Sequence, residues 1–243
     1  MKLASLKNGR DGHLVVVSRD LAWFTDADVI APTLQAALDD WERCEPMLRG
    51  LAEGLEHGAV PRDRFHEHEV ASPLPRAYQW IDGTAYGNPP DRQSSEPFLR
   101  QGGSDGFLGP RDPIPAGEAA WELDFEAAVA AVTGDVPPGA EGAAALGSVR
   151  LLMLCNGLAL RGLAERELSA GHGLFQSRPG AAFSPVAVTP DELDGWRDGR
   201  LHGPLEVELN GRVVGSPDTG RGVAFDFGRL IAHAARTRRL CAG

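Results

Sequence analysis

Leu14, Val15, Val16 and Val17 form an apolar, largely β-branched run that follows Asp11-Gly12. A run of this kind entered from a turn predicts a strand over 14–18, and a second short strand over 21–24 would complete a small hairpin. From Thr33 the period lengthens. Leu34, Leu38 and Trp41, then Leu48, Leu51 and Leu55, recur three or four residues apart and lay an apolar stripe along an amphipathic helix. Pro46 has no N–H for a helix interior, so the stripe is expected to divide there into two helices. The stretch 58–76, with Pro61, Pro73 and Pro75, reads as a connection to a larger region.

Beyond it the chain turns β-rich, with frequent Gly and Pro. Trp121, Leu123, Phe125, Ala127 and Val129 alternate with Glu122, Asp124, Glu126, Ala128 and Ala130, which predicts a strand with the first set on the core. On that reading Glu126 and Ala128 share the other face. Residues 149–155 are almost continuously apolar, as in a strand buried on both sides, and 163–168 suggest a short helix after it. Asn210-Gly211 between two alternating runs marks a hairpin with a type I′ turn. Residues 225–236 read as a helix with Phe227, Leu230 and Ile231 on one face. No internal repeat or low-complexity tract interrupts this order.

Composition then removes several classes of function. With 42% hydrophobic and 24% charged residues in 243, the chain has the make-up of a globular protein with a real core. A formal net charge of −10 argues against nucleic acid, since phosphate binding needs concentrated Lys and Arg. The one basic cluster, Arg236, Arg238 and Arg239, suits a solvated helix C-terminus. Cys44, Cys155 and Cys241 are widely spaced and lack any CxxC or Cys/His ligand pattern, so reduced thiols in a cytoplasmic protein are expected. No signal peptide is legible in residues 1–10, and no apolar run reaches the length of a membrane span.

Six segments occur in an order that resembles bacterial members of the fumarylacetoacetate hydrolase family. They are Pro75-Arg76-Ala77-Tyr78-Gln79-Trp80, Gln101-Gly102-Gly103-Ser104-Asp105, Gly109-Pro110-Arg111-Asp112-Pro113, Asp124-Phe125-Glu126, Val132-Thr133-Gly134-Asp135-Val136 and Phe183-Ser184-Pro185-Val186. The resemblance implies an α+β, β-rich fold: the family's β-roll of mixed sheets, here over 71–243, behind a small N-terminal α/β region over 1–70. It also implies a homodimer as the common assembly.

The resemblance further implies where a metal and a base would lie. Family members bind Mg²⁺ or Ca²⁺ through an Asp, a Glu-x-Glu pair and an Asp after an Asn, because a hard divalent cation needs many oxygen ligands. Here the first Asp is Asp82, and the pair is Glu126 with Ala128. The last Asp falls on Gly157, so two of the four carboxylates remain. The family's general base falls on Pro89, and the stretch 89–100 is too short for the helix that carries its partner Glu. The family's Tyr before Gln-Gly-Gly falls on Arg100. Its Lys falls on Arg178, which keeps the charge but does not readily release a proton. Arg161 is retained. The chain stops at Gly243, where family members continue through further sheet elements, and this reads as a shortened C-terminus.

These losses coincide at the chemistry while the packing pattern persists, so metal-dependent hydrolysis of carbon–carbon bonds is not expected. The leading expectation is a pseudoenzyme or a repurposed, metal-independent protein. Its cavity, lined by Arg100, Arg161 and Arg178, would bind or convert a small anionic oxo acid or enolate. No cofactor is expected beyond weak Mg²⁺ or Ca²⁺ at Asp82 and Glu126, which otherwise read as polar residues paired with arginines such as Arg161. A second expectation is a regulatory or structural partner of a complete homologue. A third is a residual metal-dependent hydrolase or decarboxylase of acylpyruvate-type substrates. His66-Glu67-His68-Glu69 lacks a third ligand and reads as a solvated edge. Asp105, Asp112 and Asp135 read as turn formers, and His172 as a lone loop histidine. Ser104, Ser177 and Ser184 have no GxSxG context.

Overall fold

The computed structural model describes residues 1–86 and 95–243. The first strand, β1 (Lys2–Leu6), was not legible in the mixed polarity of the first ten residues. It pairs antiparallel with β2 (His13–Val17), and β2 pairs with β3 (Trp23–Asp26). The apolar run in β2 is buried on both faces: Leu14 and Val16 enter the main core, while Val15 and Val17 pack with Ala4 and Val70 on the other side.

Helix α1 (Leu34–Asp39) is capped by Thr33, whose Oγ1 accepts from Ala36 N at 3.1 Å. Helix α2 (Trp41–Glu56) follows directly. The interruption between the helices falls at Asp40, which leaves helical geometry at φ −134°, ψ 51°, and not at Pro46. Pro46 sits inside α2. It forfeits a single backbone bond early in the helix, and burial of Cys44, Leu48 and Leu55 offsets that loss. The connection carries β4 (Asp63–Arg64), which adds to the edge of β3.

Next come the ribbon strands β5 (Trp80–Gly83) and β6 (Leu99–Gly102), then a 3-10 turn at Ala119–Trp121 and the long strand β7 (Leu123–Thr133). After α3 (Gly142–Leu146), β8 (Val149–Leu160) runs antiparallel to β7 along its length, and α4 (Arg161–Ser169) follows. The strands β9 (Ala181–Phe183) and β10 (Ala187–Val188) also pair with β8. One sheet therefore runs β4-β3-β2-β1-β10-β8-β7, with β9 beside β8, and its main core cluster draws on residues from Met1 to Ala242.

Two expectations about β7 and β8 change here. Ala130 and Val132 are in the core, whereas Leu123 and Phe125 are 38% and 36% exposed, so the face carrying Glu126 points inward. Trp121 precedes the strand. Burial of β8 on both sides covers Leu151 to Met153, is interrupted at Leu154, which is 49% exposed, and returns at Leu158 to Leu160.

The C-terminal part contains two hairpins, β11 (Trp196–Arg197) with β12 (Arg200–Leu201) and β13 (Val207–Leu209) with β14 (Arg212–Gly215), followed by α5 (Phe227–Ala234). Asn210 and Gly211 both have positive φ, at 52° and 75°, as a type I′ turn requires. Ile231 of α5 packs with Val136, Ala145 and Ala235 in a satellite cluster, with Phe227 against it. Among the described residues no helix is long and apolar enough to cross a membrane.

Candidate functional site

The β5–β6 ribbon and the inward face of the β7–β8 pair line a cavity of about 440 Å³, in the range of small-molecule sites. Asp82 and Arg100 are cross-strand partners on the ribbon, and Glu126 stands opposite Gly157, with Ala128 opposite Cys155. All six line the cavity, as does Arg178. One wall is aromatic. Trp80, Phe107 and Phe183 meet edge to face, with ring centroids 4.8 to 5.9 Å apart.

The charged groups form one connected chain. Arg100 donates from Nη2 to Asp82 Oδ2 at 2.5 Å. Arg178 donates from Nη1 to Glu126 Oε2 at 2.6 Å, and the same nitrogen lies 3.8 Å from Asp82 Oδ2. Arg161 donates to Asp124 Oδ2 at 2.8 Å and to Glu126 Oε1 at 3.4 Å. Three guanidinium groups thus answer three carboxylates, and the hydrogen bond from Arg161 holds Asp124 below the usual carboxylate range. Burial separates the members: the Arg178 side chain is 12% exposed and that of Arg161 54%. Arg161 lies outside the cavity lining.

Arg178 is placed by Glu167 on α4. The Glu167 carboxylate accepts N–H bonds from Phe175, Gln176 and Ser177 at 3.2, 2.8 and 3.3 Å, and the Ser177 hydroxyl at 2.6 Å. The Ser177 bond is the chief cause of a lowered Glu167 pKa. These bonds fold the loop into a tight turn from which Arg178 enters between the two carboxylates.

This arrangement bears directly on a divalent metal. Asp82 and Glu126 are brought together, but the space they share is taken by a guanidinium, and the side chains at positions 128 and 157 offer no oxygen. Among the described residues no group of three or more His, Cys, Asp or Glu could hold a metal ion. Two carboxylates with waters could hold Mg²⁺, but as arranged here, with the Arg178 guanidinium between them, they do not fit a divalent cation. Pro89 lies outside the described residues. His66 and His68 stand on an exposed turn, and exposed His172 is not in the cavity lining. Asp112 accepts from Gly109 N at 2.8 Å, as a turn former should, and pairs with Lys7.

Two cavity residues escaped the sequence reading. Cys155 sits beside the ion-pair chain, and its thiol is pushed up to about 12, first by burial and then by the charges of Asp82 and Glu126. Arg200 lines the cavity from β12. The signal for Arg200 was Asp198-Gly199, a two-residue turn with both φ positive, at 52° and 67°, between two short strands.

The comparisons with known proteins agree with this architecture. A search of curated proteins gave no match. The model of the fumarylacetoacetase N-terminal domain 2 matches residues 1–76, and that of the fumarylacetoacetate hydrolase C-terminal region matches 76–243. Among solved structures, the chain is similar to the fumarylacetoacetate hydrolase of Exiguobacterium antarcticum, at 18% identity and TM-score 0.75, covering 100% of this chain and 83% of that one. It is similar to the maleylpyruvate hydrolase of Sphingobium sp. SYK-6 in complex with manganese(II) ion and pyruvate, at 18% identity and TM-score 0.73, covering 100% and 86%. A 5-carboxymethyl-2-hydroxymuconate delta-isomerase from Mycobacterium smegmatis matches at 17% identity and TM-score 0.67, covering 100% and 84%. At such identities the structures speak for the fold alone, but the family models span the chain, which belongs to the fumarylacetoacetate hydrolase family.

Proposed function

We propose that this chain is a member of the family that works without its metal: it binds, and orients for conversion, a small anionic molecule of the oxo-acid or enolate kind. The observation that carries this reading is Arg178, whose guanidinium lies between Asp82 and Glu126. A tethered cation there supplies countercharge and hydrogen-bond donors but no exchangeable coordination positions. The apolar, partly aromatic walls would exclude water from a bound molecule and fix its orientation, which can itself accelerate cyclisation, isomerisation or decarboxylation. Calorimetric titration with Mg²⁺ and Mn²⁺, followed by an acylpyruvate hydrolysis assay in the same buffer, tests it. No binding heat and no turnover are expected. Micromolar binding together with turnover would restore the hydrolase reading.

A second reading draws on the outward face of β7 and β8, where Leu123 and Phe125 are exposed on β7 and Leu154, opposite Val129, is exposed further along β8. Such a face suits a homodimer, or pairing with a complete homologue. Sedimentation of the chain alone and mixed with a complete family member separates the two assemblies.

A further inference from the structure

We infer that Arg200 is the residue that holds the anionic group of the cavity's ligand, and that this ligand is a monoanion with an apolar body. The inference rests on the anion-binding reading above and reassigns its binding residue. Arg100 and Arg178, the cavity arginines expected to meet an anion, are already engaged by Asp82 and Glu126. With Arg161 and Asp124 their network is neutral, so a ligand carboxylate approaching it would meet two carboxylates as well as the guanidinium groups.

Arg200 is different. It lines the same cavity and is half-buried. Its Nε is buried without a hydrogen-bond partner among the described residues, as is that of Arg178, but Arg178 has two carboxylates within 4.0 Å of its guanidinium and Arg200 has none among them. Asp226, which also lines the cavity, is committed to capping α5, where its Oδ1 accepts from Arg229 N at 3.0 Å. Arg239 pairs with Asp135. A half-buried guanidinium without an anion is costly unless something else supplies one. Arg197 is its direct cross-strand partner, and two like charges in that register raise the local positive potential further.

The backbone that carries Arg200 is well fixed. The Asp198-Gly199 turn sets the hairpin, Phe227 N donates to Gly199 O at 2.9 Å, and His202 N donates to Gly195 O at 2.9 Å. A backbone fixed in this way limits where the Arg200 side chain can reach and lowers the ordering a ligand would have to impose. Val223, Phe225 and Phe227 line the cavity beside it and suit an apolar body. Arg200 is a single guanidinium with no carboxylate of the described residues in ion-pair range, and the cavity's remaining unpaired charge among them, Asp226, is negative, so one anionic group is matched and the second charge of a dianion would find no cation.

Benzoate, benzamide and isophthalate serve as probes, with binding followed by ligand-observed NMR and calorimetry on the full chain. The wild type is expected to bind benzoate at least about tenfold more tightly than the neutral benzamide, and more tightly than isophthalate. Arg200→Gln should abolish the preference for benzoate over benzamide, Arg200→Lys should keep part of it, and Arg111→Gln, at an exposed residue outside the cavity lining, should leave it unchanged. The melting temperature of ligand-free Arg200→Gln should equal or exceed that of the wild type, which separates lost binding from lost folding. If Arg200→Gln binds benzoate as the wild type does while Arg100→Gln loses it, this assignment is overturned and the anion-binding reading stands. If the wild type shows no preference for benzoate over benzamide, or binds neither, both fall.

Discussion

Two walls of one cavity handle positive charge in opposite ways. On the β5–β8 wall each arginine meets a carboxylate, and the most buried of them, Arg178, is shared by two. On the β11–β12 wall Arg200 is half-buried with no such partner among the described residues. A saturated network stabilises the fold and offers little to a ligand. An unsaturated cation costs stability and can recover it on binding, the usual relation between a site and the stability of the protein that carries it.

Breaking the saturated wall should have the largest effect. Arg178→Met leaves Asp82 and Glu126 facing each other without their shared cation, and a loss of about 2–4 kcal/mol is expected from urea denaturation, below the figure for a fully buried pair because both carboxylates are about one-third exposed. A change below about 0.5 kcal/mol would mean that Arg178 does not hold the two carboxylates together. The same wall has a signature in base. The Cys155 thiol, at about 12 when folded against 9.0 unperturbed, favours the folded state fully below pH 9 and loses that contribution as pH rises from 9 towards 12. Near pH 10.5 this amounts to roughly 2 kcal/mol, and Cys155→Ala should flatten the decline in the urea midpoint over that range. Under native conditions iodoacetamide should modify exposed Cys241 well before buried Cys155 or Cys44, as read by mass spectrometry of tryptic peptides.

Smaller effects sharpen the contrast. Glu167→Gln weakens the hold on 175–177 and should cost about 1 kcal/mol, and the NMR chemical shifts of the Arg178 side chain should move with it. Unmoved Arg178 signals would show that another contact sets the loop. Arg161→Ala removes a pair that is largely in water, so at most about 0.5 kcal/mol is expected, and that only at low salt. An effect as large as that of Arg178→Met would contradict the burial argument.

The legible parts of the fold were those governed by local chemistry. Asn210-Gly211 specifies its turn because both residues tolerate positive φ, and Thr33 ends the chain's approach to α1 with a side-chain cap. The face of β7 was misread because alternation identifies two faces without saying which is inside. Here Glu126 looks inward because Arg178 meets it there, and Arg178 lies 52 residues away. β1 was missed because its pairing with β2 and β10, rather than its composition, makes it a strand. Asp82, Glu126 and Arg178 could be named from the family resemblance, and pairing of the carboxylates with arginines such as Arg161 was legible too, but the place of Arg178 between them was not, since it depends on β5, β7 and the loop after α4 meeting. Arg200 went unnoticed although Asp198-Gly199 placed it on a hairpin, because no local feature distinguishes an arginine that has a carboxylate from one that lacks it.

A guanidinium between Asp82 and Glu126 is synthesised with the chain. Its occupancy is therefore one in every folded molecule, whatever the supply of divalent ions, and neither a chelator nor metal starvation can remove it. The same covalent tether confines that cation to a single charge state and a single reach, so any variation in what the cavity accepts has to arise from its other walls.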